Sequence, residues 1–279
     1  MKLPKFYLRR IWRTIMEFEM LEKGDKVVVG LSGGKDSLFL LYALKVIQTN
    51  SKFPFELAAA TIDLGFGEIN EPYLREYCER LSVPFYLEKT DIAAIVEEKA
   101  EEKSPCSTCS FYRRGALVKV MQREGKNVLA LAHHQDDAVE TFLMSLLYSG
   151  QIKTFLPTTY LDKSGIRVIR PLVYLTEAEV KGGLKYAEAK PVKNPCPYSG
   201  NTQREYVKNL LKTLIRDNPN VYTHLLSAMR EGKHIELWPK VKSPQEMHEL
   251  YLRYMGAVDR DDYNPVFDSK KMKKAQNPL

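Results

Sequence analysis

One stretch decides the fold: Lys26-Val27-Val28-Val29-Gly30-Leu31-Ser32-Gly33-Gly34-Lys35-Asp36-Ser37. A short β-branched apolar run leads into a glycine-rich segment, and the apolar spacing of residues 38–48 is typical of a helix. A loop between a strand and a helix start presents free backbone N–H groups and the positive helix end, while glycines allow an anion to approach closely. The stretch therefore predicts a phosphate-binding loop. It differs from the G-x-x-x-x-G-K-[ST] pattern of the common nucleotidases.

Alternating strand and helix patterns continue to residue 175. The predicted strands are residues 26–31, 56–63, 85–87, 127–132 and 167–171, and the predicted helices are residues 38–48, 71–81, 92–102, 113–123 and 136–148. Such alternation is typical of an α/β fold built on a parallel sheet. Ligands of open parallel sheets bind beyond the carboxyl ends of the strands. We therefore expect the glycine-rich loop, Asp63 and residues 133–137 to converge on one edge.

We predict four segments along the chain. A basic N-terminal helix covers residues 1–25, and an α/β domain with an inserted C-x-x-C covers residues 26–175. A helical region with a third cysteine covers residues 176–237, with helices predicted at 176–189 and 203–231. A charged tail covers residues 238–279. The chain is therefore expected to carry helical additions at both ends of its α/β domain.

Composition and charge narrow the class of protein. The 279 residues are 44% hydrophobic, enough for a globular core, and no uninterrupted apolar run reaches the length needed to cross a bilayer. We expect a cytoplasmic protein with no membrane partner, because residues 8–21 are broken by charges and no small-residue cleavage site follows them. The formal net charge of +7 favours an anionic partner such as nucleic acid.

The glycine-rich loop resembles that of the PP-loop, or N-type ATP pyrophosphatase, superfamily, whose members have the HUP (adenine nucleotide α-hydrolase-like) fold. They cleave ATP between the α and β phosphates and adenylate a substrate oxygen. The resemblance implies that ATP and Mg²⁺ are ligands, that Lys35 neutralises the pyrophosphate portion and that Asp36 assists Mg²⁺. It also implies that Asp63 lies near the adenosine or the metal. The loop residues that would hold the pyrophosphate are Ser32, Gly33, Gly34, Lys35, Asp36 and Ser37.

A second set of motifs is similar to the tRNA 2-thiocytidine synthetases, over roughly residues 5–235. The motifs are Ala132-His133-His134-Gln135-Asp136-Asp137, Glu140-Thr141, Tyr148-Ser149-Gly150 and Arg170-Pro171-Leu172. The resemblance implies that His133 and Asp137 bind ATP and that Asp137 is catalytic. Ala132 departs from the glycine usual in that family, which would tighten the adenosine pocket. From the residues alone, Asp137 and Glu140 also fit a helix capping box.

Three cysteines are spaced for metal or redox chemistry: Cys106 and Cys109 form a C-x-x-C, and Cys196 follows in a proline-bounded turn. Soft sulfur ligands suit zinc or an iron–sulfur cluster, and three protein ligands on a four-iron cluster leave one iron open. The spacing alone also permits a persulfide-carrying or redox cysteine, a structural zinc or no metal. The resemblance implies a [4Fe-4S] cluster on Cys106, Cys109 and Cys196, with Ser199 standing where relatives often have a further cysteine. Cys78, on a predicted helix, is expected to be a buried small hydrophobe.

Basic residues occur at two further places. Arg113 and Arg114 begin the predicted helix after the C-x-x-C, and the resemblance implies that Arg113 assists the adenylated intermediate. The residues alone equally fit a solvated helix start or an RNA phosphate contact. The N-terminal stretch, basic and rich in aromatic residues, fits either an RNA contact or an amphipathic helix packed on its neighbour.

Together, the resemblance implies ATP-dependent transfer of sulfur to a tRNA base, with AMP and pyrophosphate as products. The base oxygen would first be adenylated, and sulfide on the cluster would then displace AMP. The implied partners are tRNA, a sulfur donor (a cysteine desulfurase or free sulfide) and a second copy of the chain. The alternatives are an amidating or ligating PP-loop enzyme of the lysidine synthetase or NAD synthetase type, a persulfide-based thiolase on another substrate, and a metal protein that uses ATP only as a conformational ligand.

Overall fold

The computed structural model describes residues 1–100, 104–193, 195–198, 202–230 and 242–255. The chain forms two compact units, Met1–Arg230 and Glu231–Leu279. In the described part of the second unit lies one helix, α10 (Pro244–Met255). Most of the predicted charged tail, together with Ser199, lies outside the described residues. No helix in the described ranges is both long and apolar enough to cross a membrane.

Six strands of the first unit form one sheet in the order β3-β2-β1-β4-β6-β5. They are β1 (Lys26–Gly30), β2 (Glu56–Asp63), β3 (Phe85–Lys89), β4 (Val128–Ala130), β5 (Thr158–Leu161) and β6 (Ile166–Ile169). All neighbouring pairs are parallel except β5 and β6, which are antiparallel. The predicted α/β fold on a parallel sheet is confirmed, with the antiparallel edge strand β5 as an addition, and the carboxyl ends of the five parallel strands share one edge.

Helices cover both faces of the sheet. They are α1 (Lys5–Glu17), α2 (Lys35–Asn50), α3 (Glu71–Arg80), α4 (Ile92–Glu98), α5 (Pro105–Arg123), α6 (Gln135–Ser149), α7 (Glu177–Gly183), α8 (Gln203–Asp217) and α9 (Val221–Ala228), with a short 3-10 helix at Leu184–Ala187. The central strands are apolar because both faces are covered: Val27, Val28 and Val29 of β1 are fully buried. Alternate residues of β1 enter two different core clusters, one on each face.

The structure differs from the predicted elements at three places. The edge strand β5 was not predicted, because its four residues are short and only half-buried and give no clear pattern. Helix α5 begins at Pro105 rather than at residue 113, with proline in the first turn where its missing N–H costs nothing. The helix predicted over 203–231 is two helices, because Pro219 disfavours the helical conformation of the residue before it.

The basic N-terminal helix packs on the core with one face. Tyr7, Ile11 and Ile15 of α1 are buried, and the Tyr7 hydroxyl donates to the Glu179 carbonyl at 3.0 Å. On the polar face, Arg10 forms an ion pair of 2.8 Å with Glu179. The amphipathic interpretation therefore holds for the buried face of α1.

A buried ion pair stabilises the opposite edge of the sheet, at the amino ends of the strands. Both oxygens of Asp25 accept from Arg167 Nη2 at 2.9 Å, and the two residues are 4% and 5% exposed. Asn127 also donates to Asp25 at 2.8 Å. Because partners surround these charges, the connection into β1 is held against β4 and β6.

Candidate active site

The glycine-rich loop follows β1 and leads into α2. Gly33 has a positive φ of 77°, a backbone conformation that favours glycine. Ser37 braces the loop, because its Oγ accepts from the Ser32 N–H at 3.2 Å and donates to the Gly34 carbonyl at 3.0 Å. Helix α2 begins at Lys35 with no side-chain cap. Its first N–H groups therefore have no capping side chain and are suited to an anion.

The segment that leads to Cys196 crosses directly over this loop. The Val192 N–H donates to the Gly33 carbonyl at 2.9 Å, and a Cβ on Gly33 would lie 3.1 Å from Val192 Cβ. A second close approach occurs at Gly67, where a Cβ would lie 3.2 Å from Pro195 Cβ. Gly33 therefore allows the segment that leads to Cys196 to lie against the glycine-rich loop, and Gly67 allows the same segment to approach the chain that follows β2.

Lys35 is held beside the loop by two carboxylates. Its Nζ lies 3.1 Å from Asp36 Oδ2 and 3.1 Å from Glu177 Oε1. Lys208 Nζ of α8 contacts the other Glu177 oxygen at 2.7 Å. Hydrogen bonds from Lys208 and Lys35 lower the pKa of Glu177 to about 2, so this carboxylate is charged at neutral pH. Sequence reasoning missed Glu177, since its only local signal is the helix start at Thr176.

Residues 133–137 form the start of α6. His134 is the N-cap residue: its N–H donates to Asp137 Oδ2 at 2.9 Å, and its Nδ1 accepts from the Asp137 N–H at 3.4 Å. The capping box is thus His134 with Asp137, and the predicted box of Asp137 with Glu140 is wrong, because the helix begins at Gln135. Glu140 instead accepts from Arg204 Nη1 at 2.9 Å. Asp137 therefore caps the helix, and it also lines a cavity at the carboxyl ends of β1, β2 and β4.

His133 is a neutral imidazole in this site. Burial, followed by the charges of Arg170 and Arg204, lowers the pKa of His133 to about 3. Its ring centroid lies 5.0 Å from that of Phe155, and its buried Nδ1 has no hydrogen-bond partner within the described residues. At neutral pH His133 is therefore suited to bind a ligand through an uncharged ring.

A cavity of about 430 Å³ lies at the carboxyl ends of β1, β2 and β4. Of the predicted site residues, it is lined by Ser32, Gly34, Asp36, Ser37, Asp63, Cys109, Arg113, His133, Asp137 and Cys196. Gly33, Lys35 and Cys106 do not line it. Asp36 Oδ1 is buried without a hydrogen-bond partner in the described part of the chain, 3.9 Å from His134 Nε2. The structure thus brings most of the predicted phosphate, nucleoside and cysteine residues to one cavity.

The cysteines lie on two elements that face this cavity. Cys106 and Cys109 are in the first turns of α5, and Cys196 is in the segment that crosses the loop. Burial raises the pKa of the Cys109 thiol, and the nearby Cys196 and Cys106 raise this pKa further. The positive charge of Arg113 acts in the opposite direction and lowers the pKa. Within the described ranges, no three His, Cys, Asp or Glu side chains are gathered to hold a metal ion. The three thiols suit a cluster by their donor chemistry, but the structure does not gather them into a ligand set within the described residues. Cys78 is fully buried, as predicted, which raises the pKa of its thiol to about 12.

Comparison with known proteins identifies the family. The model of the PP-loop domain matches residues 8–218. The chain belongs to the PP-loop family. A tRNA-cytidine(32) 2-sulfurtransferase of Citrifermentans bemidjiense is 37% identical over 223 residues, which are 79% of this chain and 88% of that one. A protein of the same name from Stenotrophomonas maltophilia is 36% identical over 273 residues, 96% of this chain and 85% of that one. These identities confirm membership of the tRNA 2-thiocytidine synthetase group.

A solved structure shares the fold of this PP-loop enzyme. The U34-tRNA thiolase of Methanococcus maripaludis, determined with its [4Fe-4S] cluster, superposes with a TM-score of 0.62 at 24% identity, covering 86% of this chain and 84% of that one. At that identity the likeness concerns the fold. The chain is an ATP-using sulfurtransferase by its family.

The PP-loop site also contains residues that no motif indicated. Val192, Lys193 and Pro195 line the cavity beside Cys196. Arg204 of α8 donates to Glu140 and to the Thr141 hydroxyl, at 2.9 and 3.3 Å. The helical region that follows the sheet therefore supplies part of the wall of the cavity and part of its charge.

Proposed function

We propose that this PP-loop enzyme transfers sulfur to C2 of a cytidine in tRNA, at the expense of ATP. The observation that carries the proposal is a single cavity lined by both the phosphate loop and two of the three cysteines. An ATP enzyme that only amidates or ligates has no need for thiols at this position. The relatives named tRNA-cytidine(32) 2-sulfurtransferase support tRNA as the substrate.

In this proposal the α/β domain 26–175 binds ATP, and the region 176–237 brings the third cysteine to it. Residues 32–37 hold the pyrophosphate portion through backbone N–H groups at the start of α2. Lys35 moves from Glu177 to the phosphates, Asp36 would help to hold Mg²⁺, and the catalytic Asp137 contacts ATP from the cavity wall. The unpartnered Asp36 Oδ1 is an oxygen donor of the kind that Mg²⁺ prefers. Asp63 and His133, on the cavity wall, contact the adenosine portion.

The chemistry must replace an oxygen that leaves poorly. The C2 oxygen of the base attacks the α-phosphorus of ATP, the bond to the β-phosphate breaks, and pyrophosphate departs. Lys35 stabilises the departing charge, and Arg113, on the cavity wall, stabilises the adenylated base. Sulfide then bonds to C2, and AMP leaves with the oxygen. No net oxidation or reduction occurs.

The sulfide requires a carrier beside the adenylated base. Cys106, Cys109 and Cys196 would hold a [4Fe-4S] cluster, and this group supplies an iron position that the protein leaves open for sulfide. The chain's own contribution is to place Cys109 and Cys196 in the wall of the ATP cavity. The sulfur comes from a donor, either a cysteine desulfurase or free sulfide. A homodimer is the assembly that we propose.

The test is thiolation of unmodified tRNA by anaerobically purified enzyme with ATP and sulfide, together with iron and acid-labile sulfide analysis. We expect AMP and thiolated tRNA to form together, and about four irons per chain. Cys196→Ala should lose both the iron and thiolation. Cys78→Ala is the matched control, because Cys78 lies in the core away from the cavity lining. Full thiolation by Cys106→Ala would contradict sulfur transfer through these cysteines, and an active iron-free enzyme would point to persulfide chemistry instead.

A further inference from the structure

Positive charge is concentrated beside the cavity, where four arginines lie. Arg113 lines the cavity and is followed on α5 by Arg114, and Arg204 lies beside Asp137 of the cavity wall. The Phe155 ring centroid lies 5.0 Å from that of His133 on the same wall and 5.0 Å from Arg170 Cζ, and the charge of Arg114 acts on Arg170. We call these four arginines the arginine cluster. Arg204 is paired with Glu140 at 2.9 Å and lies 3.7 Å from Asp137. In the described ranges, the other three form no ion pair with a carboxylate.

Arg170 is the buried member of the arginine cluster. The residue is only 6% exposed, and its Nε has no hydrogen-bond partner within the described residues. Its Nη1 donates to the Leu156 carbonyl at 2.6 Å, and its Cζ lies 5.0 Å from the Phe155 ring centroid. Burial, and then the charge of Arg114, lowers the pKa of Arg170 to about 10. A buried cation without a carboxylate costs free energy, which an anion bound nearby would lower.

Exposed aromatic and apolar side chains flank the same cluster. Phe111 is 73% exposed and precedes Arg114 by three residues on α5, so the two side chains share one face of that helix. Leu156 and Tyr160 are 62% and 59% exposed, and Arg170 holds the backbone at Leu156. Cations interleaved with exposed rings are the chemistry that binds single-stranded nucleic acid, through phosphate contacts and base stacking.

We propose that the edge formed by Phe111 and Arg114 of α5 and by residues 155–160 is the surface on which the substrate RNA strand lies as one of its bases enters the cavity. The inference rests on the proposed function. Arg114 contacts a phosphate, and Phe111 stacks on a neighbouring base. Arg170 is a positioning residue: it holds residues 155–160 and adds a charge that no carboxylate in the described ranges pairs with.

A second copy of the chain is the rival occupant of this edge. A two-fold interface would place identical surfaces face to face and so bring the unpaired arginines of both copies together. Those like charges, which form no ion pair with a carboxylate among the described residues, oppose such an interface. The phosphates of RNA carry the opposite charge, and the chain has a formal net charge of +7. Charge complementarity therefore favours RNA.

The experiment measures tRNA affinity of the full-length anaerobic protein by fluorescence anisotropy over a range of salt concentrations. Arg114→Ala should weaken binding about 3- to 10-fold and reduce the slope of log affinity against log salt by about 1. Phe111→Ala should weaken binding at least about 5-fold while leaving the salt slope unchanged. ATP affinity should be unchanged in both variants, since neither residue lines the ATP cavity.

Arg123→Ala is the matched control. Arg123 is also a partly exposed arginine of α5, but it lies at the far end of the helix, where Glu88 and Glu124 neutralise it at 2.8 and 2.9 Å. We expect its tRNA affinity and salt slope to equal those of the native protein.

Three results separate the possibilities. If the native enzyme thiolates tRNA and both variants bind tRNA like the native enzyme, the RNA edge is wrong and the proposed function stands. If Phe111→Ala converts a native dimer to monomers and keeps native tRNA affinity, the edge is an interface between copies and the inference is also wrong. If the native protein neither binds nor thiolates tRNA, the proposed function fails first and the RNA edge fails with it.

Discussion

Glu177 lies between two lysines beside the glycine-rich loop: Lys35 Nζ contacts Glu177 Oε1 at 3.1 Å, and Lys208 Nζ contacts Glu177 Oε2 at 2.7 Å. In the proposed function Lys35 binds the phosphates of ATP, so the Glu177 carboxylate would compete with phosphate oxygens for Lys35. Glu177→Gln removes this competing partner, so we expect the variant to bind ATP more tightly. Lys208→Met leaves Glu177 with Lys35 as its remaining cation in the described part of the chain, so we expect weaker ATP binding.

The size of the effect follows from the exposure of the groups. The side chains of Lys35, Glu177 and Lys208 are 28%, 32% and 33% exposed, so solvent screens the pairs. Ion pairs under such screening contribute about 0.2–1 kcal/mol. Since 1.36 kcal/mol is a factor of ten, the dissociation constant for ATP should fall roughly 1.4- to 5-fold in Glu177→Gln. It should rise by a similar factor in Lys208→Met.

The assay is isothermal titration of each variant with a non-cleavable α,β-methylene analogue of ATP and Mg²⁺, so that turnover does not contribute. Thermal melts of the unliganded proteins report any loss of stability separately. Opposite shifts in affinity are the signature of competition for Lys35. A merely structural role for the network would weaken ATP binding in both variants, and that result, or two unchanged affinities, would refute the reasoning.

Three further predictions concern stability and pH. Asp25→Ala leaves the buried Arg167 with the exposed Glu22 carboxylate, at 2.7 Å, as its remaining counter-charge in the described ranges, so the free energy of unfolding should fall by about 1–3 kcal/mol, measured by urea denaturation. Gly183→Ala would place a Cβ 2.4 Å from a ring carbon of Phe39 and should destabilise the fold by about 1–3 kcal/mol, measured by thermal melts. The control is Gly182→Ala, whose Cβ would have its nearest atom at 3.4 Å and which should be nearly neutral in those melts. In the folded protein the pKa of His133 is lowered to about 3, so as the pH falls the unfolded chain takes up this proton at a higher pH than the folded protein does. His133 therefore does not change the free energy of unfolding above pH 6.5, and it lowers that free energy as the pH drops from 6.5 towards 3. His133→Gln should therefore lose stability less steeply over that pH window, and parallel pH profiles for the two proteins would contradict a buried neutral imidazole.

The fold and the phosphate loop were predictable because their signals are local. A β-branched strand, a glycine pair and a helix start within residues 26–50 are sufficient to indicate a phosphate-binding loop on a parallel sheet. The C-x-x-C and the distant Cys196 could be recognised as candidate sulfur ligands from spacing and residue type. The buried state of Cys78 followed from its place in an amphipathic helix.

Only the tertiary structure decided which side chains meet. The contacts between Lys35 and Glu177, between Asp25 and Arg167, and between Gly33 and Val192 join residues far apart in the chain, and no periodicity or spacing encodes them. The arginine cluster likewise combines residues of α5 and α8 with Arg170, which follows β6. The sequence does not show which of these arginines is paired, whereas the structure pairs Arg204 with Glu140. Local sequence therefore determined the elements and the chemistry of the loop, whereas long-range packing determined the partners of each charge, because electrostatic interaction depends on distance in space.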